Sequence, residues 1–171
     1  LAMLAVMLGQ FWLGLVLLLV NRLADGLDGA VARRNGVTDL GGYLDIVLDF
    51  IVYSGIVFAF AVADPAANAL AAAFLVFSFM GTGASFLAFA IMAAKHGLGS
   101  PEQGTKSLYY LGGLAEGTET ILFLVAVLLW PAGFALFAWL FGVVCWLTTI
   151  GRILIAGEAG QLAAFQRAKG L

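Results

Sequence analysis

Residues 69–94 run from Ala69 to Ala94 without one charged side chain. A bilayer core about 30 Å thick needs roughly 20 predominantly apolar residues in a helix. Such a stretch restricts the chain severely. In hydrocarbon every backbone N–H and C=O must be satisfied internally, so a helix or a closed barrel is required. Runs of this length are far longer than barrel strands. The same pattern recurs along the 171 residues, of which 63% are hydrophobic and 11% charged. A mean hydropathy of +1.06 excludes a soluble domain of this size. The expected fold class is therefore all-α, a polytopic membrane helix bundle. The one cysteine, Cys145, cannot form an intrachain disulfide and reads as a packing residue.

Polar breaks divide the chain into spans. Leu1–Leu8 is too short to cross a membrane and reads as the tail of a first helix that is mostly missing. The chain is accordingly expected to be N-terminally truncated. Gly9-Gln10 is a tight turn. Spans follow at 11–34, 39–63, 69–95, 107–130 and 134–156, giving six transmembrane helices with the first incomplete, in one membrane domain. The breaks are Asn35–Asp39, with Asp39 as the expected helix N-cap, Asp64–Asn68, the polar segment Lys95–Lys106, and Pro131–Gly133. The tail 156–171 reads as a surface amphipathic helix or a frayed end.

Basic residues orient the bundle. Arg33, Arg34, Lys95, Lys106, Arg167 and Lys169 fall at one set of helix ends, and the opposite turns contain no Lys or Arg. By the positive-inside rule the Arg33 side is cytoplasmic, with Trp12 and Trp130 in the opposite aromatic belt. A bacterial inner membrane is the expected location.

Against this apolar background stand Asp25, Asp28, Asp45 and Asp49. One carboxylate in a transmembrane helix costs about 2.5–3.5 kcal/mol on insertion scales. Asp25 and Asp28 are three apart and Asp45 and Asp49 four apart, so each pair lies on one helix face. From helix rise, Asp28 and Asp25 lie roughly 8 and 12 Å from Arg33, and Asp45 and Asp49 roughly 9 and 15 Å into the next helix. All four therefore share a layer near the cytoplasmic side. Four like charges so close would repel and protonate unless a cation holds them. An all-oxygen set selects a hard divalent ion, Mg²⁺ or Mn²⁺. Gly26, Gly29 and Gly41 leave room for a ligand or a neighbouring backbone.

The pattern Asp25-x2-Asp28-Gly29-x2-Ala32-Arg33 followed by Gly41-x3-Asp45-x3-Asp49 resembles the signature of the CDP-alcohol phosphatidyltransferase family. The family has eight residues between its Arg and second Gly; this chain has seven, the missing one falling in the turn at Asn35–Asp39. The resemblance implies metal-dependent transfer of a phosphatidyl or phosphoalcohol group from a CDP-alcohol, often CDP-diacylglycerol, to an acceptor hydroxyl, with release of CMP. It implies that Asp25, Asp28 and Asp45 hold the metal and diphosphate. Asp49 is then the general base and a further metal ligand. Gly29, Ala32, Arg33 and Gly41 would lie at the nucleotide and diphosphate, and Asn21 is placed to meet the same ligand.

Other polar residues are weaker candidates. Arg22, one turn before Asp25, either pairs with a carboxylate or snorkels. Glu116, Glu119 and Arg152 are candidates for an acceptor pocket; the plainer readings are first-turn glutamates and an interfacial anchor. So few cations speak against a sugar-phosphate acceptor. Lys95, His96 and Lys106 read as a solvated loop, and one histidine makes no metal site. Gly81, Gly83, Ala84 and Ser85 suit close helix packing, within the chain or in a homodimer. The expected partners are the CDP-alcohol donor, an alcohol acceptor and the bilayer, with no nucleic acid. The alternatives to a transferase of phospholipid biosynthesis are a transporter with an acidic cation or proton site, and an inactive relative. The aspartates lie near one face instead of at the midplane, which favours the enzyme.

Overall fold

The computed structural model describes residues 1–36, 38–95, 114–115 and 117–168, with the side chains at 32, 33, 35, 93 and 158–168 outside the description. Among the described residues every regular element is helical: α1 (Ala2–Met7), α2 (Phe11–Asn35), α3 (Asp39–Ala63), α4 (Pro65–Lys95), α5 (Gly117–Leu129) and α6 (Phe134–Ala168). A 3₁₀ turn at Pro131–Gly133 joins the last two. Asp39–Ala63, Pro65–Met92 and Pro131–Gly157 are each long and apolar enough to cross a membrane. The molecule is a membrane helical bundle. Helix α2 matches α3 in length, but from its middle onward it carries Arg22, Asp25, Asp28, Arg33 and Arg34.

Local chemistry sets the helix ends. Gly9 and Gly36 take φ of 74° and 101°, which side-chain-bearing residues rarely adopt, and they break the chain on either side of α2. Thr38, not Asp39, caps α3: its Oγ1 accepts from the Gly41 N–H at 3.1 Å. Asp39 is the first helical residue, where a carboxylate still complements the helix dipole. The break after α3 is shorter than its composition suggests. Asp64 caps α4 through Oδ1, which accepts from the Ala67 N–H at 3.1 Å. Pro65 starts the helix, because its fixed φ and missing N–H suit the first helical position. The buried Asn68 donates back to the Phe60 carbonyl at 3.2 Å, satisfying the end of α3.

Helices α4 and α6 form the most extensive interface. The Phe74 ring stacks on Trp139 at 4.4 Å between centroids and lies over Gly142, where an added methyl would meet Phe74 at 2.4 Å. Gly81 faces Trp146 and Thr149 of α6, and Gly83 faces Phe50 of α3. Gly81 and Gly83 of the small-residue stripe are thus used within the chain, whereas Ala84 is exposed. Helix α1 packs against both α2 and α3, with Val6 over Gly14 and Met3 over Gly55. The far ends of three helices are tied by a stack of Phe11, Phe60 and Phe134, with centroid separations of 5.3 and 4.3 Å.

Candidate active site

A cavity of about 460 Å³ opens between the helices. Its wall takes Asp45 and Asp49 from the first half of α3 and Tyr53 from just past its middle, Thr82 and Phe86 from the second half of α4, Gly117 and Thr120 from the start of α5, and Arg152 from the second half of α6. The described lining residues run from the middle of the helices towards one end of the bundle, with Asp45 and Asp49 early in α3, Phe86 late in α4, Gly117 at the start of α5 and Arg152 past the middle of α6. Phe50, Phe79 and Phe86 make the wall largely apolar.

Asp25, Asp45 and Asp49 come together at this end, with the carboxylate of Asp45 close enough to interact with both others. Arg22 lies among them. Its Nη1 donates to Asp49 Oδ1 at 2.5 Å and stands 3.5 Å from Asp25 Oδ2. The phenol of Tyr53 donates to Asp49 Oδ2 at 2.8 Å, so each oxygen of Asp49 has a donor. Nε and Nη2 of Arg22 both donate to Asn21 Oδ1, at 3.2 and 2.7 Å. The guanidinium also lies 5.6 Å from the centre of the Tyr53 ring. The Arg22 side chain is 12% exposed, against 24% for Asp49 and 40% for Asp25. Of the three charged groups, the cation is the most enclosed.

The other expected residues fall in different places. Asp28 is exposed on α2 and makes no hydrogen bond or ion pair among the described residues. Gly29 sits on the same helix, half-buried. Gly41 is used by its own backbone in the Thr38 cap. Asn21 holds Arg22. The side chains of Ala32 and Arg33, and all of Glu116, lie outside the described residues, as do His96 and Lys106. Glu119 is exposed in the first turn of α5 and is not among the described residues lining the cavity.

Arg152 does line the cavity. It is 6% exposed, donates from Nη1 to the Thr82 carbonyl at 3.1 Å, and lies 5.6 Å from the centre of the Phe86 ring. A second tie crosses the bundle nearby: the Ala115 N–H donates to Thr148 Oγ1 at 3.0 Å, anchoring the approach to α5 on α6.

Tyr53 was not apparent as a site residue from the aspartate motif. A usable signal exists, since Asp45, Asp49 and Tyr53 repeat every four residues and therefore share one helix stripe.

The donor chemistry of three carboxylates suits a hard divalent cation. The arrangement does not close on one: among the described residues no group of three His, Cys, Asp or Glu side chains is placed to hold a metal ion. Arg22 stands between Asp25 and Asp49 instead.

The family model for CDP-alcohol phosphatidyltransferases matches residues 1–154, so this chain belongs to that family, a family of phosphotransferases. The particular relative found is an inner membrane protein of Escherichia coli strain K12, YnjF. It is 56% identical over 146 residues, which cover 85% of this chain and 71% of the relative. No solved structure gives a significant match.

Proposed function

We propose that this chain is a divalent-metal-dependent transferase that moves a phosphatidyl group from CDP-diacylglycerol to an acceptor alcohol in phospholipid biosynthesis. The observation that carries the reading is the presence of Asp45 and Asp49 in the wall of a cavity of about 460 Å³, with Asp25 beside them. Membership of a phosphotransferase family favours this over cation transport.

Asp49 is the general base. The acceptor oxygen bonds to the phosphorus that carries the diacylglycerol, the bond from that phosphorus to CMP breaks, and the acceptor proton passes to Asp49. Tyr53 orients the Asp49 carboxylate. The largely apolar wall excludes water, which would otherwise compete as the acceptor. Asp25, Asp28, Asp45 and Asp49 are the proposed ligands of Mg²⁺ or Mn²⁺, which would neutralise charge on the phosphoryl oxygens and on departing CMP. Gly29, Ala32, Arg33 and Gly41 are assigned to the nucleotide side by their motif positions, and Arg152 to the acceptor side by its place in the cavity.

The proposed location is the inner membrane, the location in the name of the E. coli relative. The distribution of basic residues favours a site at the cytoplasmic leaflet. The protein is proposed to act as a single membrane domain.

The test is CMP release by the full-length protein in lipid nanodiscs from CDP-diacylglycerol, across a panel of acceptor alcohols, with Mg²⁺ or with EDTA. Release that needs both the metal and one acceptor supports the reading. Absence of release with every acceptor and either Mg²⁺ or Mn²⁺ overturns it.

A further inference from the structure

We propose that Thr148 is a positioning residue for the acceptor: through its hydrogen bond with Ala115 it holds the start of α5 beside the Asp49–Tyr53 pair, and so sets the shape of the space in which the acceptor lies. This inference rests on the transferase reading above. It concerns a residue that is not among the described residues lining the cavity.

Three observations carry it. The first is the direction of the tie. The Thr148 hydroxyl donates to the Val144 carbonyl at 3.1 Å, which commits its one hydrogen and leaves its lone pairs to accept from the Ala115 N–H at 3.0 Å. Both residues are buried. Ala115 precedes the first turn of α5, so that helix has no carbonyl to take its N–H. Without the threonine oxygen a buried donor loses its partner, and the segment gains by moving to find another.

The second is how lightly α5 is otherwise held to α6. Among the described residues α5 packs chiefly on α2 and much less on α3 and α6. The Pro131–Gly133 turn joins α5 to α6 at the far end. At the cavity end the bond to Thr148 is a point attachment between them. The next residue of α6 meets the opposite neighbour: a methyl added at Gly81 of α4 would come to 3.3 Å from Thr149 Oγ1. One turn of α6 is thus fitted to α4 and tied to the approach to α5, so two walls of the cavity take their spacing from the same helix.

The third is what the held segment faces. Ala115, Gly117 and Thr120 all line the cavity. A methyl added at Gly117 would come to 3.8 Å from the Tyr53 hydroxyl, the group that donates to Asp49 Oδ2 at 2.8 Å. An acceptor whose hydroxyl reaches Asp49 from the cavity therefore lies against the start of α5.

The experiment compares Thr148→Val, which keeps the shape and loses the hydroxyl, with Thr148→Ser, which keeps the hydroxyl, in the full-length protein in nanodiscs. CMP release from CDP-diacylglycerol is measured with glycerol phosphate, inositol phosphate, serine and choline, and kinetics follow with the acceptor that gives the fastest release. Thr148→Val should raise the KM for that acceptor about tenfold and leave the KM for CDP-diacylglycerol within about twofold. Thr148→Ser should bring the acceptor KM back to within about threefold of the parent. Hydrogen exchange in the peptide that carries Ala115, read by mass spectrometry without substrates, should show its amide exchanging about tenfold faster in Thr148→Val. Unchanged exchange overturns the inference. So does an unchanged acceptor KM, or an equal rise in both KM values, even where exchange accelerates, because the tie is then structural alone.

A second variant leaves the tie in place. Gly117→Ala adds a methyl at an ordinary contact distance from Tyr53, so the fold accommodates it while the cavity narrows. It should raise the acceptor KM several-fold with the donor KM and the unfolding temperature unchanged; an unchanged acceptor KM overturns the inference. If the parent releases CMP and Thr148→Val keeps the parental acceptor KM, the positioning role falls and the transferase reading stands. If the parent releases no CMP with any acceptor, both fall.

Discussion

Replacing Tyr53 by Phe removes one oxygen from the site and leaves the ring in place. The lost group donates to Asp49 Oδ2 at 2.8 Å, and Arg22 alone then holds the carboxylate, end-on through Oδ1. A hydrogen bond to a charged group is worth about 1.5–3 kcal/mol. Asp49 is 24% exposed, so water replaces part of that loss, and the expected fall in stability is about 1 kcal/mol. The effect on transfer is larger. A carboxylate held at one oxygen can turn about its Cβ–Cγ bond, and a misplaced base loses rate steeply, so kcat should fall by about tenfold. The KM for CDP-diacylglycerol should stay within about twofold, because the hydroxyl sets the orientation of the base rather than donor binding. The assay is steady-state CMP release with acceptor saturating, beside thermal unfolding of the same nanodisc preparation. A Tyr53→Phe protein with kcat within twofold of the parent would refute the claim that Tyr53 orients Asp49.

Other outcomes follow from the packing and the cavity. Gly142→Ala pushes a methyl into the Phe74 ring, which its stacking on Trp139 holds in place, and should cost about 1–3 kcal/mol in unfolding experiments, partly recovered by adding Phe74→Leu. Thr38→Ala removes the cap of α3 and should lower stability by about 1 kcal/mol. Arg152→Met, in the cavity wall, should raise the acceptor KM by about tenfold and leave the donor KM within about twofold, read in the same CMP assay. EDTA should abolish CMP release while the helical circular dichroism stays unchanged, and Mg²⁺ or Mn²⁺ should restore activity.

Much of the architecture was legible because the hydrocarbon core allows so few solutions. Long uncharged runs had to be helices, and four aspartates among them had to be compensated. The three-residue and four-residue spacings placed carboxylates on helix faces, and three of the four do meet. Side-chain competition was harder to read. Arg22 had two uses open to it, snorkelling or pairing, and only the approach of α3 to α2 decides for Asp49. Asn21 was a candidate for the ligand or for a hydrogen bond between helices, and its amide oxygen accepts from Arg22, a contact between sequence neighbours that helical periodicity cannot reveal. Pro65 looked like part of a break, whereas Asp64 caps the helix that Pro65 begins. The notches at Gly14 and Gly142 were invisible because they depend on Val6 and Phe74 arriving from other helices.

The central claim is that Asp49 removes the acceptor's proton as the acceptor attacks the donor. The most direct measurement is single-turnover formation of the lipid product from radiolabelled CDP-diacylglycerol by the full-length protein and by Asp49→Asn, with Mg²⁺ and the acceptor identified by the panel. Loss of a general base costs about 10²–10⁴-fold, so Asp49→Asn should form product at least a hundredfold more slowly while still binding the donor. Product formation by Asp49→Asn at the parental rate would contradict the account.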